Sequence, residues 1–93
     1  MIVSFGNKDT LKIWEGERVR GMANDLQEIA RRKLRMLNNS VSLIDLQIPP
    51  SNRLEKLKGN LRDFYSIRIN DQWRIIFKWS NGIASEVEII DYH

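Results

Sequence analysis

Asp91, Tyr92 and His93 put the chain's single histidine beside a carboxylate and a phenol. Imidazole titrates near neutral pH, a phenol donates a hydrogen bond, and a neighbouring carboxylate can orient an imidazole or raise its pKa. Arg74 and Lys78 lie on the segment that leads to this tail. A guanidinium stabilises charge that develops on a phosphate. Together these residues suit phosphoryl chemistry on RNA, with a base, an acid and a cation all supplied by the protein. The alternative for a lone histidine at a chain end is an exposed, idle side chain.

Rigid elements must hold such a set in place. Trp73, Ile75, Phe77 and Trp79 alternate with Arg74, Ile76 and Lys78, which is the period of a strand whose two faces differ in chemistry. Asn81-Gly82 is a hairpin turn leading to a further strand from Ile83 to Ile90. Tyr65, Ile67 and Ile69 alternate with Ser66, Arg68 and Asn70 in the strand before. Matching apolar faces predicts Ile69 opposite Ile75 and Ile67 opposite Phe77, joined by a loop of Asp71, Gln72 and Trp73. It also predicts Phe77 opposite Val87 and Ile75 opposite Ile89, with a bulge at Gly82. Arg68, Arg74, Lys78 and Tyr92 then share the polar face. Arg53 to Leu57 reads as a weak strand ended by Lys58-Gly59-Asn60.

Upstream, Ile2, Val3 and Phe5 read as a short first strand, and Asn7 or Asp9 can cap a helix carrying Leu11, Ile13 and Trp14. A second helix is predicted from an Asn24 N-cap, with Gln27 in the capping-box position, to about Asn38-Asn39-Ser40. Leu26, Ile29, Ala30, Leu34 and Leu37 form its buried stripe. Residues 41–52 read as a turn of helix followed by a loop at Pro49-Pro50. The predicted class is α+β: an N-terminal strand, two helices, then an antiparallel sheet packed on them. Ninety-three residues make one domain, 1–93.

Composition narrows the chemistry. The chain contains no cysteine and one histidine, so disulfides and thiolate metal sites are excluded and the chemistry expected is metal-independent, without a cofactor. No apolar run approaches the roughly 20 residues of a membrane span. Met1 to Phe5 lacks the features of a signal peptide, so a cytoplasmic location with no membrane partner is expected. Residues 31–78 hold eleven basic side chains against four acidic ones, while the rest of the chain is net acidic. A polyanionic partner is the natural reading, because neutralising phosphates releases counterions. Candidate RNA contacts are Arg31, Arg32, Arg35, Arg62, Arg68 and Lys78. The alternatives are a solvated helix face for the first three, and cross-strand pairing with Glu86 and Glu88 for Arg68, Arg74 and Lys78. Trp14, Trp73, Trp79 and Tyr65 sit on apolar stripes and read as packing rather than base stacking.

The run Leu57-Lys58-Gly59, the strand Tyr65-Ser66-Ile67-Arg68-Ile69, the pair Trp73-Arg74 before Ile75-Ile76-Phe77, the Asn81-Gly82 turn and the terminal Asp91-Tyr92-His93 resemble HigB-type toxins of the RelE/ParE superfamily. The resemblance covers nearly the whole chain. It implies a bacterial toxin that enters the ribosomal A site and cuts mRNA, held inactive by a cognate HigA-like antitoxin with a helix-turn-helix domain. DNA would be met only indirectly, through that antitoxin. Carried over by position, Lys58, Arg74, Asp91, Tyr92 and His93 correspond to family active-site residues. Where several relatives have a histidine and proline ahead of Leu-Lys-Gly, this chain has Glu55 and Lys56, which removes one candidate proton-transfer group.

The reaction implied is attack of a 2′-oxygen on the adjacent phosphate. Arg74 and Lys58 would hold the phosphate, His93 would transfer a proton, Asp91 would orient it, and Tyr92 would donate to the phosphate or stack on a base. Two competing functions are a ParE-like poison of DNA gyrase, which would not need the terminal imidazole, and a nonenzymatic component that only binds the antitoxin.

Overall fold

The computed structural model describes residues 1–92; His93 lies outside the described residues. Helix α1 spans Lys8–Trp14 and α2 spans Asn24–Asn39, followed by a short α3 at Leu43–Gln47 and a 3-10 turn at Pro50–Asn52. Four strands follow: β1 Glu55–Lys56, β2 Tyr65–Arg68, β3 Trp73–Ser80 and β4 Ile83–Asp91. They form one antiparallel sheet in the order β1-β2-β3-β4. The α+β class is as expected. The first strand is not: residues Ile2 and Phe5 make only two isolated parallel bridges, to Ala84 and Val87 on β4.

The helical stripe and the sheet meet as the apolar spacing requires. Leu26, Ala30, Leu34 and Leu37 of α2, with Ile13 of α1, pack on Ile67, Ile75, Phe77, Ala84, Val87 and Ile89. Full burial of each large side chain contributes roughly 1.5–3 kcal/mol before entropy is subtracted. Asn7 caps α1, its Oδ1 accepting from Thr10 N at 2.8 Å and from Thr10 Oγ1 at 2.7 Å. The same Thr10 Oγ1, fully buried, accepts from Ile89 N at 2.9 Å and so ties α1 to the C-terminal half of β4.

Three local expectations are corrected. Asn24 is the first residue of α2 rather than its cap; Ala23 occupies that position without a side-chain bond. Gln27 is buried, so its amide has to be satisfied nearby: Nε2 donates to Val19 O and Met22 O, and Oε1 accepts from Val19 N. The β2–β3 register is Ile67 opposite Ile75 and Tyr65 opposite Phe77, two residues from the expected one. Asn70 accompanies the shift: its Oδ1 accepts from both Gln72 N and Trp73 N at 2.8 Å, in a turn centred on Asp71, one residue earlier than expected. A two-residue shift preserves the faces, so Arg68 and Arg74 stand directly opposite each other.

Ile75 does pair with Ile89. The bulge, however, is at Glu86, whose φ is 50°, and not at Gly82. Asn81 and Gly82, both at positive φ, make a two-residue turn that suits the twist of the hairpin. The bulge occurs where the N-terminal segment docks, with Ser4 Oγ accepting from Glu86 N at 2.8 Å and Ser4 O accepting from Val87 N at 3.1 Å.

Candidate active site

Pairing of β1 with β2 sets Glu55 opposite Ser66, and β2 sets Ser66 opposite Ile76, one row along from Arg74. Glu55 and Arg74 therefore share the polar face and meet. Arg74 Nη1 lies 3.4 Å from Glu55 Oε1, and Nη2 donates to Arg53 O at 2.7 Å. Arg53 follows the Pro50–Asn52 turn in the left-handed region, at φ 45°. The Tyr92 ring centroid is 5.2 Å from the guanidinium carbon, within cation–π range.

The result is an arginine with only 8% of its side chain exposed. Its Nε and the nearby Ser66 Oγ are buried without a hydrogen-bond partner among the described residues. Orphaned donors of this kind are costly unless something completes them. A cavity of about 310 Å³ lies beside the arginine, lined by Glu55, Lys56, Leu57, Lys58, Leu61 and Tyr92. Lys58 is exposed at the start of the Gly59–Leu61 turn, where Gly59 takes φ 67°. Lys56 is tethered by a hydrogen bond to Arg62 O and lies 5.0 Å from the Tyr65 ring centroid.

Of the expected catalytic residues, Lys58 and Tyr92 share this cavity and Arg74 lies beneath Tyr92. Asp91 pairs with Trp73 in the sheet, and its Oδ2 accepts from Gln72 Nε2 at 3.1 Å. His93 is outside the described residues. Glu55, read from sequence as the loss of a proton-transfer group, instead supplies a carboxylate at the cavity wall. Its spacing from Lys58 was visible; its contact with Arg74 depends on sheet pairing. Ser66 and the Arg53 carbonyl were missed entirely, and no signal in their residue types marks them. Among the described residues no cluster of metal-ligating side chains is present.

The cations expected to contact RNA divide into groups. Arg31 is engaged internally: Nε donates to Ile13 O at 2.8 Å, Nη2 to Glu17 O at 3.3 Å, and Nη1 pairs with Glu28 at 2.6 Å. It serves the C-terminal end of α1, whose last carbonyls lack helical partners. Lys78 pairs with Glu86 at 2.8 Å, as the cross-strand alternative held, and that carboxylate raises its pKa. Glu88 accepts from Asn7 Nδ2 instead of pairing with an arginine. Arg68 pairs with Asp71 in its own turn. Arg32, Arg35 and Arg62 are exposed and make no side-chain hydrogen bond or ion pair among the described residues. Trp14 and Trp79 pack on Phe5 and Phe77, consistent with a structural role.

A family profile of RelE-like toxins of the type II toxin-antitoxin system HigB matches residues 3–93. The chain is 39% identical to Toxin HigB-1 of Vibrio cholerae over 85 residues, covering 90% of each. It is 31% identical to Endoribonuclease HigB of Proteus vulgaris over 94 residues, covering the whole of both. It is also 41% identical to an uncharacterised protein of Haemophilus influenzae over 59 residues, 63% of this chain and 58% of that one.

Proposed function

The chain belongs to the HigB family of RelE-like toxins of type II toxin-antitoxin systems, and on that premise we propose that it is a ribosome-dependent endoribonuclease that cuts mRNA in the ribosomal A site without a metal. A toxin of this kind has an antitoxin partner; here that partner is a HigA-like protein with a helix-turn-helix domain, through which alone the complex meets DNA. The activity belongs to the cytoplasm, where ribosomes are. No helix among the described residues is long and apolar enough to cross a membrane.

The observation that carries the reading is Arg74: a buried guanidinium whose Nε has no partner among the described residues, beside a cavity that also presents a carboxylate, an ammonium and a phenol. In the reaction the 2′-oxygen forms a bond to phosphorus while the bond from phosphorus to the 5′-oxygen breaks. The products are a 2′,3′-cyclic phosphate and a 5′-hydroxyl. Arg74 and Lys58 take up the charge that grows on the non-bridging oxygens. Glu55 accepts the 2′-proton, a role supported by its half-exposed carboxylate at the cavity wall. His93 delivers the proton that the departing 5′-oxygen needs, Asp91 positions it, and Tyr92 stacks on the nucleotide that enters the cavity. Glu55 and His93 thus replace two imidazoles with one carboxylate and one imidazole.

The test is incubation of the purified chain with mRNA, with and without ribosomes, alongside a DNA gyrase supercoiling assay. Cleavage only on ribosomes, with gyrase unaffected, is expected. Gyrase inhibition with intact mRNA would replace this reading by the gyrase-poison one, and neither effect would leave antitoxin binding as the function.

A further inference from the structure

We propose that Arg53, Arg68, Lys33 and Arg32 form a track for an RNA phosphodiester backbone, running from the active-site arginine across β2 to the outer face of α2. The proposal rests on the nuclease reading and extends it from the cleaved bond to the RNA on either side. Each step of the track is a hydrogen bond, a strand-register pair or a chain neighbour. Arg53 is anchored to the site through its carbonyl on Arg74. Arg53 follows Asn52, whose Oδ1 accepts from Lys33 Nζ. Arg68 stands directly opposite Arg74 in the β2–β3 register, and Lys33 adjoins Arg32 on α2, the two lining one hollow.

What distinguishes these cations is how little neutralises them. Arg31 has Glu28, Lys78 has Glu86 and Arg74 has Glu55. The four residues of the track have one carboxylate among them, Asp71, whose side chain is 99% exposed. Lys33 is the sharpest case. Burial lowers its pKa, and the charges of Arg32 and then Arg68 push in the same direction. Its hydrogen-bond partner is neutral, the Oδ1 of Asn52. Asn52 is itself fully buried and pinned by donating Nδ2 to Leu46 O at 3.0 Å. The fold therefore holds a partly buried ammonium on a neutral amide, and no carboxylate pairs with it among the described residues. A row of phosphates relieves that repulsion, and no internal group does.

The shape also fits a nucleotide chain. Ile29 and Met36 join Arg32 and Lys33 around a hollow of about 310 Å³, so apolar floor for a ribose or base lies beside the cations. This track differs from a general basic surface by excluding Arg31 and Lys78, which are engaged internally, and by including Arg53 and Lys33.

The test compares the parent with an Arg32→Gln, Arg68→Gln double variant, which keeps the Lys33–Asn52 bond. Binding to 70S ribosomes is measured by sedimentation at several salt concentrations, and mRNA cleavage at saturating ribosomes is measured separately. Loss of two phosphate contacts predicts at least ten-fold weaker binding and a log–log salt slope shallower by about 1.5. Thermal stability should stay near the parent's. An Arg18→Gln, Arg20→Gln control, which removes two exposed cations on the α1–α2 connection, should leave the slope unchanged. Unchanged affinity and slope in the double variant would overturn the track. So would weakened antitoxin binding with ribosome binding intact, which would assign these cations to an acidic protein surface. If the parent binds ribosomes but cuts no mRNA, the nuclease reading fails while the slopes still decide the track.

Discussion

Replacing Arg74 by lysine keeps the charge and removes the fork, so it isolates what the guanidinium's geometry contributes. Arg74 makes three contacts at once: the 2.7 Å bond to Arg53 O, the 3.4 Å approach to Glu55 and the 5.2 Å stacking with Tyr92. A charged hydrogen bond of the first kind contributes about 1.5–3 kcal/mol. The pair with half-exposed Glu55 contributes at most about 1 kcal/mol, and the ring contact roughly 0.5–1 kcal/mol. One ammonium can keep one of the three, so Arg74→Lys should lose about 2 kcal/mol of stability, read by urea denaturation. Catalysis should suffer more. Losing one preorganised donor to a charged transition state costs about 2.7–4 kcal/mol, which is roughly a 10²- to 10³-fold drop in rate. Single-turnover cleavage on saturating programmed ribosomes, well below the melting temperature, separates that drop from instability. A lysine variant that cleaves within about three-fold of the parent would refute the role given to the fork.

Thr10→Val removes the hydroxyl that Ile89 N donates to and leaves a buried N–H unpaired, so stability should fall by about 2 kcal/mol in urea; a loss under 0.5 kcal/mol would show that contact to be immaterial. Glu55→Gln keeps the shape and a hydrogen-bonding group but cannot take a proton, and should slow single-turnover cleavage at neutral pH by roughly 10²- to 10⁴-fold with ribosome binding intact. An unchanged rate would return the base to another group. Lys33 gives a pH test. Because its pKa in the folded chain lies below the unperturbed 10.5, charged Lys33 opposes folding at neutral pH. The unfolded chain binds more protons as pH rises through the lowered value toward 10.5, so the penalty fades. Stability of the parent relative to Lys33→Gln should therefore rise over that window, and a flat difference would contradict it.

The parts of the fold set by periodicity were legible in the sequence. The α2 stripe, the alternation in β2 and β3, and hence the shared polar face of Arg68 and Arg74 follow from side-chain period alone. What periodicity leaves open is anything decided by a single side-chain bond to backbone. Asn70 holds a turn centred one residue earlier, which moves the register by two, and Ser4 received the bulge at Glu86 from the other end of the chain. Arg31 and Arg32 are adjacent and of one type, yet one holds the end of α1 and the other is exposed. Only the docking of α1 distinguishes them. At the site, the tail and Arg74 stood out by residue type, whereas Glu55 looked like a missing group until β1 paired with β2 and brought its carboxylate to the guanidinium.

Attack by the 2′-oxygen is the central chemical claim, and one substrate tests it most directly. An mRNA carrying a single 2′-deoxynucleotide at the cleavage position is placed in the A site and compared with its all-ribose counterpart. The account predicts that the ribose message is cut to a 2′,3′-cyclic phosphate and a 5′-hydroxyl, and that the deoxy message stays intact at that bond. Cleavage at the deoxy position, or a 5′-phosphate on the product, would contradict it.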